Sequence, residues 1–255
     1  MAGSRKDRIR LLIEEKGEIQ LQNLKELFPE LSLMTLRRDL ISLEKEGHVV
    51  RTYGGAVSIK KLAGSGEEDP YAARAVENVE AKMKIAEKAL HMVEKGRSLY
   101  LDSGSTIMCL ARILPDEDFS ILTSGLNIAL EVLKRTKSSV VTVGGLVNRN
   151  TFSVSGPEAI TLLETFNIDL AFMAASGFSV DRGFSVANIY EGRLKRRVVE
   201  QAKKVIVLLD SGKINKDLPF TYAGLDDIDT LVCEKPLPPK VGTAVKKFNI
   251  QVFAG

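Results

Sequence analysis

From Ser98 to the end of the chain, short apolar segments alternate with amphipathic segments, and this pattern constrains the fold more than any other feature. Short apolar runs are typical of buried strands, and the longer segments between them carry apolar residues at helical spacing. The pattern predicts an α/β fold, in which helices cover both faces of a parallel sheet. The predicted strands are Ser98–Leu101, Ser120–Leu122, Val140–Val143, Asp169–Met173, Val205–Leu209, Thr230–Cys233 and Ile250–Phe253. The predicted helices lie near Thr106–Leu114, Leu126–Lys134, Pro157–Thr165, Asn188–Lys203 and Pro239–Lys247.

The first 60 residues show a different pattern, which predicts a separate small domain. Apolar residues at helical spacing indicate three short helices, and the segment from His48 to Tyr53 indicates one arm of a β-hairpin that turns at Gly54-Gly55. Three short helices and a hairpin form a winged helix-turn-helix. We expect this domain to span 1–60, a linker and connecting helix to span 61–97, and the α/β domain to span 98–255.

The composition limits the partners of the chain. With 27% charged and 44% hydrophobic residues over 255 positions, the sequence is neither a membrane bundle nor mainly disordered. Its net charge of +3 means that any nucleic-acid site must be a local patch. The two cysteines and two histidines form no metal-binding motif, and the N-terminus lacks the apolar core of a signal peptide. We therefore expect a cytoplasmic protein with no membrane partner, no metal and no cofactor.

The third predicted helix carries most of the candidate DNA-binding residues. Ser32 can cap its N-terminus, and its leucines occupy one face, so the residues between them lie on or near the exposed side. Arginine makes bidentate contacts to guanine or phosphate, and a helix N-terminus attracts anions. The alternative is an ordinary solvated face, but the surrounding helices and hairpin favour DNA binding. Asp39 is expected either to orient a neighbouring arginine or to be solvated. The candidates are Ser32, Met34, Thr35, Arg37, Arg38, Arg51 and Tyr53.

Five loops that follow predicted strands are short and polar, and all contain glycine. In parallel α/β sheets, ligands bind beyond the carboxyl ends of the strands. The loops therefore predict a concave polar pocket at one edge of the sheet. They are residues 102–106, 123–125, 144–145, 176–177 and 210–213.

The loop at 102–106 predicts an anion site. Gly104 lets the backbone approach an anion, and the helix that begins near Thr106 supplies N–H donors. Tight strand-to-helix turns favour glycine and serine in any case, so this loop alone is a weak indication. A carboxylate repels phosphate, so Asp102 is expected to accept hydrogen bonds from sugar hydroxyls instead. Lys213 is the first candidate cation and Arg149 the second; the alternative for Lys213 is a plain surface lysine.

Two stretches of the N-terminal domain resemble a known family. Residues 31–40 read LSLMTLRRDL, and residues 43–57 read LEKEGHVVRTYGGAV. Together they resemble the DNA-binding signature of the DeoR family of bacterial transcriptional regulators, and the resemblance continues through nearly the whole chain. It implies a winged-helix DNA reader followed by a sensor domain similar in fold to ribose-5-phosphate isomerase. It also implies an effector that is a phosphorylated sugar or a related metabolite.

The resemblance further implies that Glu191 and Lys195 point toward the pocket, although residues four apart can also pair on a helix face. The chain departs from the family pattern at Ser124-Gly125, where asparagine is common after the threonine. Gly192 lies inside a predicted helix, so that helix either starts later or bends. The candidate effector-binding residues are Asp102, Ser103, Gly104, Ser105, Thr106, Thr123, Gly145, Arg149, Glu191, Lys195 and Lys213.

Three functions fit these features. The first is a repressor of sugar or carbohydrate metabolism genes, whose affinity for double-stranded operator DNA is set by a phosphorylated sugar. The second is a sugar-phosphate isomerase, which needs a general base. The segment from Phe172 to Phe178 offers none, although Asp102, Glu191 and Asp210 remain. The third is a protein-docking module. We expect the regulator, not an enzyme, and a homodimer or homotetramer, because one winged helix reads too few base pairs for useful specificity.

Overall fold

The computed structural model describes residues 5–16, 18–46, 48–51, 54–58 and 70–255. The chain divides into two compact units, Met1–Glu67 and Glu68–Gly255. The boundary falls inside the segment 61–97 that the sequence assigns to a linker and connecting helix, and the helices of that segment belong to the second unit.

The first unit is a winged helix-turn-helix, as the sequence predicts. Its helices are α1 (Arg5–Lys16), α2 (Leu21–Leu27) and α3 (Leu33–Lys45), and its strands are β1 (Glu18–Gln20), β2 (Val49–Arg51) and β3 (Gly55–Ser58). The strands form an antiparallel sheet in the order β1-β3-β2. A Cβ atom at Gly55 would lie 2.0 Å from the carbonyl oxygen of Ile19, so this close approach of β1 and β3 requires glycine.

The core of the first unit forms on the leucine face of α3. Leu36, Leu40 and Leu43 are buried together with Ile9 and Ile13 of α1. Residues at these spacings share one side of a helix, so the opposite side of α3 is free to carry polar groups.

The second unit is built on seven parallel strands in the order β15-β14-β12-β9-β4-β5-β6, which confirms the predicted α/β fold. Its helices are α4 (Tyr71–Val76), α5 (Val79–Leu90), α6 (Ser105–Ile113), α7 (Leu126–Arg135), α8 (Pro157–Leu163), α9 (Ile189–Gln201) and α10 (Pro239–Lys247). Its strands are β4 (Ser98–Leu101), β5 (Ser120–Thr123), β6 (Ser139–Thr142), β7 (Leu146–Asn148), β8 (Ser153–Ser155), β9 (Leu170–Ala174), β10 (Gly177–Ser179), β11 (Gly183–Val186), β12 (Lys204–Leu208), β13 (Phe220–Ala223), β14 (Thr230–Cys233) and β15 (Gln251–Ala254).

Helices cover both faces of this sheet, and the central strand β9 shows why its sequence is apolar throughout. Ala171 and Met173 belong to the apolar cluster that includes buried residues of α8, α9 and α10. Leu170, Phe172 and Ala174 belong to the cluster that includes buried residues of α5, α6 and α7. Successive side chains of a strand point to opposite faces, so a strand buried on both faces is continuously apolar.

The connecting helix predicted within 61–97 is two helices. The chain breaks between α4 and α5 at Asn78, whose φ of 50° lies in the left-handed region. Asparagine tolerates this conformation better than most residues with a side chain. Ile85, Ala86 and Ala89 of α5 are buried against the sheet, which explains why this segment is part of the second unit.

A second, antiparallel sheet in the order β10-β11-β13 was not predicted. Its strands are short and contain glycine, serine and threonine, so they lack the apolar signal of the main sheet. Gly192 lies in the first turn of α9, and a Cβ atom there would be 3.2 Å from Cβ of Phe220. Glycine therefore lets α9 pack closely on β13.

Within the described residues, no helix is both long enough and apolar enough to cross a bilayer. Cys109 and Cys233 are buried free cysteines. No group of three or more His, Cys, Asp or Glu side chains in the described part of the chain is arranged to hold a metal ion.

Candidate functional site

A pocket lies at the carboxyl edge of the sheet, where the adjacent strands β4, β9 and β12 end. Residues from six separate parts of the chain converge there, since the lining also includes residues of α4 and α5, of the turn between β7 and β8, and of α9. The predicted residues that line it are Ser103, Gly104, Ser105, Thr106, Glu191, Lys195 and Lys213. The other lining residues are Arg74, Lys82, Thr151, Ala174, Ala175, Ser176 and Asp210.

The loop between β4 and α6 places hydroxyl groups and a helix N-terminus in the pocket. Gly104 has a φ of 126°, a conformation that residues with a side chain rarely adopt, and it allows the abrupt start of α6. Ser103, Ser105 and Thr106 are all buried and line the pocket. The first N–H groups of a helix have no partner within it, so this arrangement offers hydrogen-bond donors to an anion.

Lys195 lines the pocket and is the centre of a buried ionic cluster. Its Nζ lies 2.6 Å from Oδ2 of Asp102 and 3.2 Å from Oε1 of Glu191, and it donates to the carbonyl oxygen of Ala174 at 2.8 Å. The hydroxyl of Tyr222 donates to the same carbonyl at 3.0 Å. Burial opposes the charge on Lys195, but the two carboxylates outweigh burial and raise its pKa, so the side chain is an ammonium ion.

Asp102 does not line the pocket, which corrects the expectation that it accepts hydrogen bonds from sugar hydroxyls. It is completely buried, and its carboxylate accepts from the N–H groups of Ser103 at 2.8 Å and Ala174 at 2.9 Å, besides pairing with Lys195. The hydroxyl of Ser124 lies 3.4 Å from Oδ1. The carboxylate is therefore occupied within the protein, where it joins the loop after β4 to the end of β9 and to α9.

Thr123, Gly145 and Arg149 also lie outside the pocket lining. Thr123 is completely buried and accepts a hydrogen bond from the N–H of Gly125. Gly145 has a φ of 128°, and a Cβ atom there would be 2.5 Å from the carbonyl oxygen of Ser155, so it permits the close pairing of β7 with β8. Arg149 is an exposed residue in the turn between those strands. The structure therefore does not bring these three positions into the pocket.

Two pocket cations, Arg74 and Lys82, were missed by the sequence analysis. Lys82 is 2% exposed, and its Nζ donates to the carbonyl oxygens of Arg74 at 2.5 Å and Glu77 at 2.6 Å. Burial lowers its pKa, while the carboxylate of Asp210 opposes that effect. Lys82 stands at helical spacing from the buried residues of α5, and a lysine in line with an apolar face is a signal that could have been recognised. Arg74 carries no comparable signal.

The pocket has more positive than negative side chains. The pocket contains four cationic side chains and two carboxylates, and the carboxylate of Asp102 lies beneath it, which makes four positive and three negative groups. The cations are Arg74, Lys82, Lys195 and Lys213, and the carboxylates of the lining are Glu191 and Asp210. Lys195 is held by two of those carboxylates. An anion would complement this excess of charge.

The exposed side of α3 carries the candidate DNA-binding residues. Ser32 caps the helix by accepting from the N–H of Thr35 at 3.1 Å. Met34, Arg37 and Arg38 are exposed, and neither arginine forms an ion pair with a described residue. Tyr53 lies outside the described residues.

Arg37 and Arg51 are brought together on one concave surface of the first unit. This surface has a volume of about 470 Å³ and is lined by Gln20, Leu21, Gln22, Arg37, Leu40, Arg51, Gly54 and Gly55. Arg51 is oriented by Glu44, whose Oε2 accepts from its Nε at 2.8 Å. Asp39 is 8% exposed and binds Arg5 of α1 through both oxygens, so it joins α3 to α1 rather than orienting Arg37 or Arg38. The surface therefore combines arginines from α3 and from the hairpin.

Comparison with known proteins identifies both units. The family model of the DeoR-like helix-turn-helix domain matches residues 5–62, and the model of the DeoR C-terminal sensor domain matches residues 77–235. The chain belongs to the DeoR family of transcriptional regulators. The HTH-type transcriptional regulator GolR of Listeria innocua is 32% identical over 249 residues, which are 96% of this chain and 94% of that protein. The transcriptional repressor AccR of Agrobacterium fabrum is 31% identical over 240 residues, which are 93% of this chain and 92% of that protein.

This DeoR-family protein is a DNA-binding regulator, and the isomerase alternative is not favoured. A solved structure of ribose 5-phosphate isomerase A from Methanocaldococcus jannaschii matches 56% of this chain and 57% of its own, with 19% identity and a TM-score of 0.42. The fold assignment rests instead on the strand order of the second unit and on the two family models.

Proposed function

We propose that this protein is a cytoplasmic repressor of sugar or carbohydrate metabolism genes, and that a phosphorylated sugar or related metabolite in the pocket controls its affinity for operator DNA. The observation that carries the proposal is the convergence of the Ser103–Thr106 loop with three cations at the carboxyl edge of the sheet. The name of the relative AccR supports repression.

The phosphate group would lie at the N-terminus of α6. There it accepts hydrogen bonds from the backbone N–H groups and from the hydroxyls of Ser105 and Thr106. Lys213 adds a cation from the loop after β12. The sugar hydroxyls would donate to Glu191 and Asp210, whose carboxylates line the same pocket and can accept several hydrogen bonds each.

The DNA would lie against the exposed side of α3. Arg37 and Arg38 reach base edges or phosphates, and Arg51 contacts the backbone from the hairpin. One such unit reads too few base pairs to select an operator, so the working form is a homodimer or homotetramer that reads two half-sites.

A thermal-shift panel tests the ligand class. Phosphorylated sugars, the corresponding free sugars and inorganic phosphate are added to the full-length protein, because a ligand that binds only the folded state raises Tm with concentration. We expect at least one phosphorylated sugar to raise Tm more than its free sugar and more than inorganic phosphate. If phosphorylated and free sugars give the same Tm, the pocket does not recognise phosphate and the proposal is wrong.

A further inference from the structure

The volume available among the pocket side chains is about 30 Å³. That is roughly the space of one water molecule in the liquid, whereas small-molecule pockets are typically about 300–1,000 Å³. A phosphorylated sugar therefore enters only if one wall of the pocket moves.

Two of the walls are firmly held. The Ser103–Thr106 loop is buried and tied to the sheet through Asp102, and α9 is tied to it through Lys195. The loop after β12 is held by Glu234, which accepts hydrogen bonds from the N–H and the hydroxyl of Ser211.

The third wall, residues 71–82, is held more weakly, and we call it the strap. It consists of α4, the break at Asn78 and the first turn of α5. Arg74 is the buried residue of α4, whereas Val76 is 78% exposed. The N-terminal end of α4 is attached by the N–H of Tyr71, which donates to the carbonyl oxygen of Asn150 at 2.7 Å. The ring of Tyr71 makes an edge contact with the exposed Phe152 and packs, partly buried, against the apolar cluster of α5, α6 and α7, so Tyr71 is the main apolar attachment of α4. A segment with so little buried apolar surface opens at low free energy.

The strap also carries charge into the pocket. Lys82 has three donors, and two are used by the carbonyl oxygens of Arg74 and Glu77. Both Lys82 and Arg74 are at least nine-tenths buried, where a charged group is stable only with partners. Asn78 at the break donates to Asp210 on the opposite wall at 3.2 Å, so the strap closes directly onto another pocket residue.

We propose that the strap is the movable, anion-binding wall of the pocket: it opens to admit a phosphorylated ligand and then holds the phosphate through Arg74 and Lys82. This rests on the proposed function, since it takes the pocket ligand to be phosphorylated. The strap is also the first part of the second unit after residues 59–69, which connect it to the winged helix. A ligand that binds the closed strap more tightly than the open strap raises the fraction of molecules in which the strap is closed. The strap is the segment that leads to the DNA-binding unit.

Calorimetric titration of the full-length protein with D-ribose 5-phosphate and with inorganic phosphate tests the binding role. Arg74→Met and Lys82→Met should each weaken binding about tenfold to a hundredfold, the usual loss for a charge-assisted hydrogen bond. Lys84→Met is the matched control, because Lys84 is an exposed lysine on the same helix, and it should bind as the parent does. If the parent binds and both strap variants match Lys84→Met, the strap inference is wrong while the proposed function stands. If the parent binds neither probe and no phosphorylated sugar of the thermal-shift panel raises Tm, the proposed function fails and the inference fails with it.

Hydrogen exchange tests the movement without depending on the variants' folding. In the parent without ligand, amides of residues 71–78 should exchange much faster than those of α6, and saturating D-ribose 5-phosphate should slow them. Exchange as slow as in α6 before any ligand is added would overturn the inference, because the wall would then be fixed.

Discussion

The two units carry their positive charge in opposite ways. On α3, Arg37 and Arg38 are exposed, whereas in the pocket Arg74, Lys82 and Lys195 are buried. An exposed cation keeps its water and suits an extended polyanion that also stays hydrated. A buried cation has lost its water and must be compensated by carboxylates, carbonyl oxygens or a bound anion. The difference supports the proposal of two kinds of anion, a nucleic-acid surface for the first unit and a small enclosed ligand for the second.

The largest effect is expected at the buried cluster. Lys195→Met leaves Asp102 charged and unpaired in the interior, and breaking a buried pair from one side typically lowers the free energy of unfolding by about 3–5 kcal/mol. The control is Lys203→Met, which breaks the ion pair of an exposed lysine with Asp169. This change should lower the free energy of unfolding by about 1 kcal/mol or less. Urea denaturation of the second unit within the full-length protein measures both. Equal losses of unfolding free energy in the two variants would show that the buried and the exposed ion pair contribute equally to stability, which would contradict the comparison.

The next effect is expected for the cation on the loop after β12. Lys213→Met should weaken binding of a phosphorylated sugar by about tenfold to a hundredfold, because a charge-assisted hydrogen bond to an anion contributes about 1.5–3 kcal/mol. Operator affinity without ligand should stay unchanged, so the variant should repress permanently in cells. Calorimetry against Lys216→Met, an exposed lysine near the same loop, measures the loss. Parent-like binding by Lys213→Met would make Lys213 a surface lysine.

A smaller effect on affinity, and none on folding, is expected for the exposed arginines. Arg37→Ala and Arg38→Ala should each weaken operator binding by about 1–3 kcal/mol if the side chain reads a base, and should lower the salt slope if it neutralises a phosphate. The free energy of unfolding should not change, because both side chains are exposed. Binding isotherms at two salt concentrations measure this, with Lys240→Ala of the second unit as the control. Unchanged affinity in the double variant would show that α3 is not the recognition helix.

The smallest effect is a pH dependence at the amino edge of the sheet. Hydrogen bonds from Lys203 and from the N–H of Ser98 lower the pKa of Asp169 from 3.8 to about 2. A carboxylate with a lower pKa in the folded state contributes stability above pH 3.8, and that contribution is lost as the pH falls toward 2. Asp169→Asn should therefore flatten the stability curve between those values, measured by urea denaturation. An unchanged slope would mean that Asp169 does not contribute to it.

Strong periodic signals made most of the fold predictable from the sequence. The central strands β9 and β12 of the main sheet are nearly continuous apolar runs because they are buried on both faces, and the helices of the winged helix-turn-helix have clear apolar spacing. The antiparallel sheet β10-β11-β13 was missed because its strands are only three or four residues long and mix apolar residues with glycine, serine and threonine. A kink in the connecting helix was allowed for, but its place at Asn78 was not predicted, because the left-handed conformation of a single asparagine has no periodic signal.

The pocket was predictable where the chain itself brings residues together. Ser103, Gly104 and Thr106 follow a strand directly and line the pocket as the loop pattern suggested. Asp102 was assigned to the ligand because its partner Lys195 is distant in sequence, and no local pattern shows that a side chain so far away neutralises it. Arg74 was missed because no local pattern shows that it lines a pocket whose other residues are distant in sequence.

The central claim is that a phosphorylated ligand in the second unit sets the DNA affinity of the first. The direct test is fluorescence anisotropy of an operator duplex, obtained by in vitro selection against the full-length protein, titrated with the phosphorylated sugar that raises Tm most. This ligand should lower the operator affinity of the parent protein and leave that of Lys213→Met nearly unchanged at the same concentration. An operator affinity of the parent that stays constant at saturating ligand would contradict it.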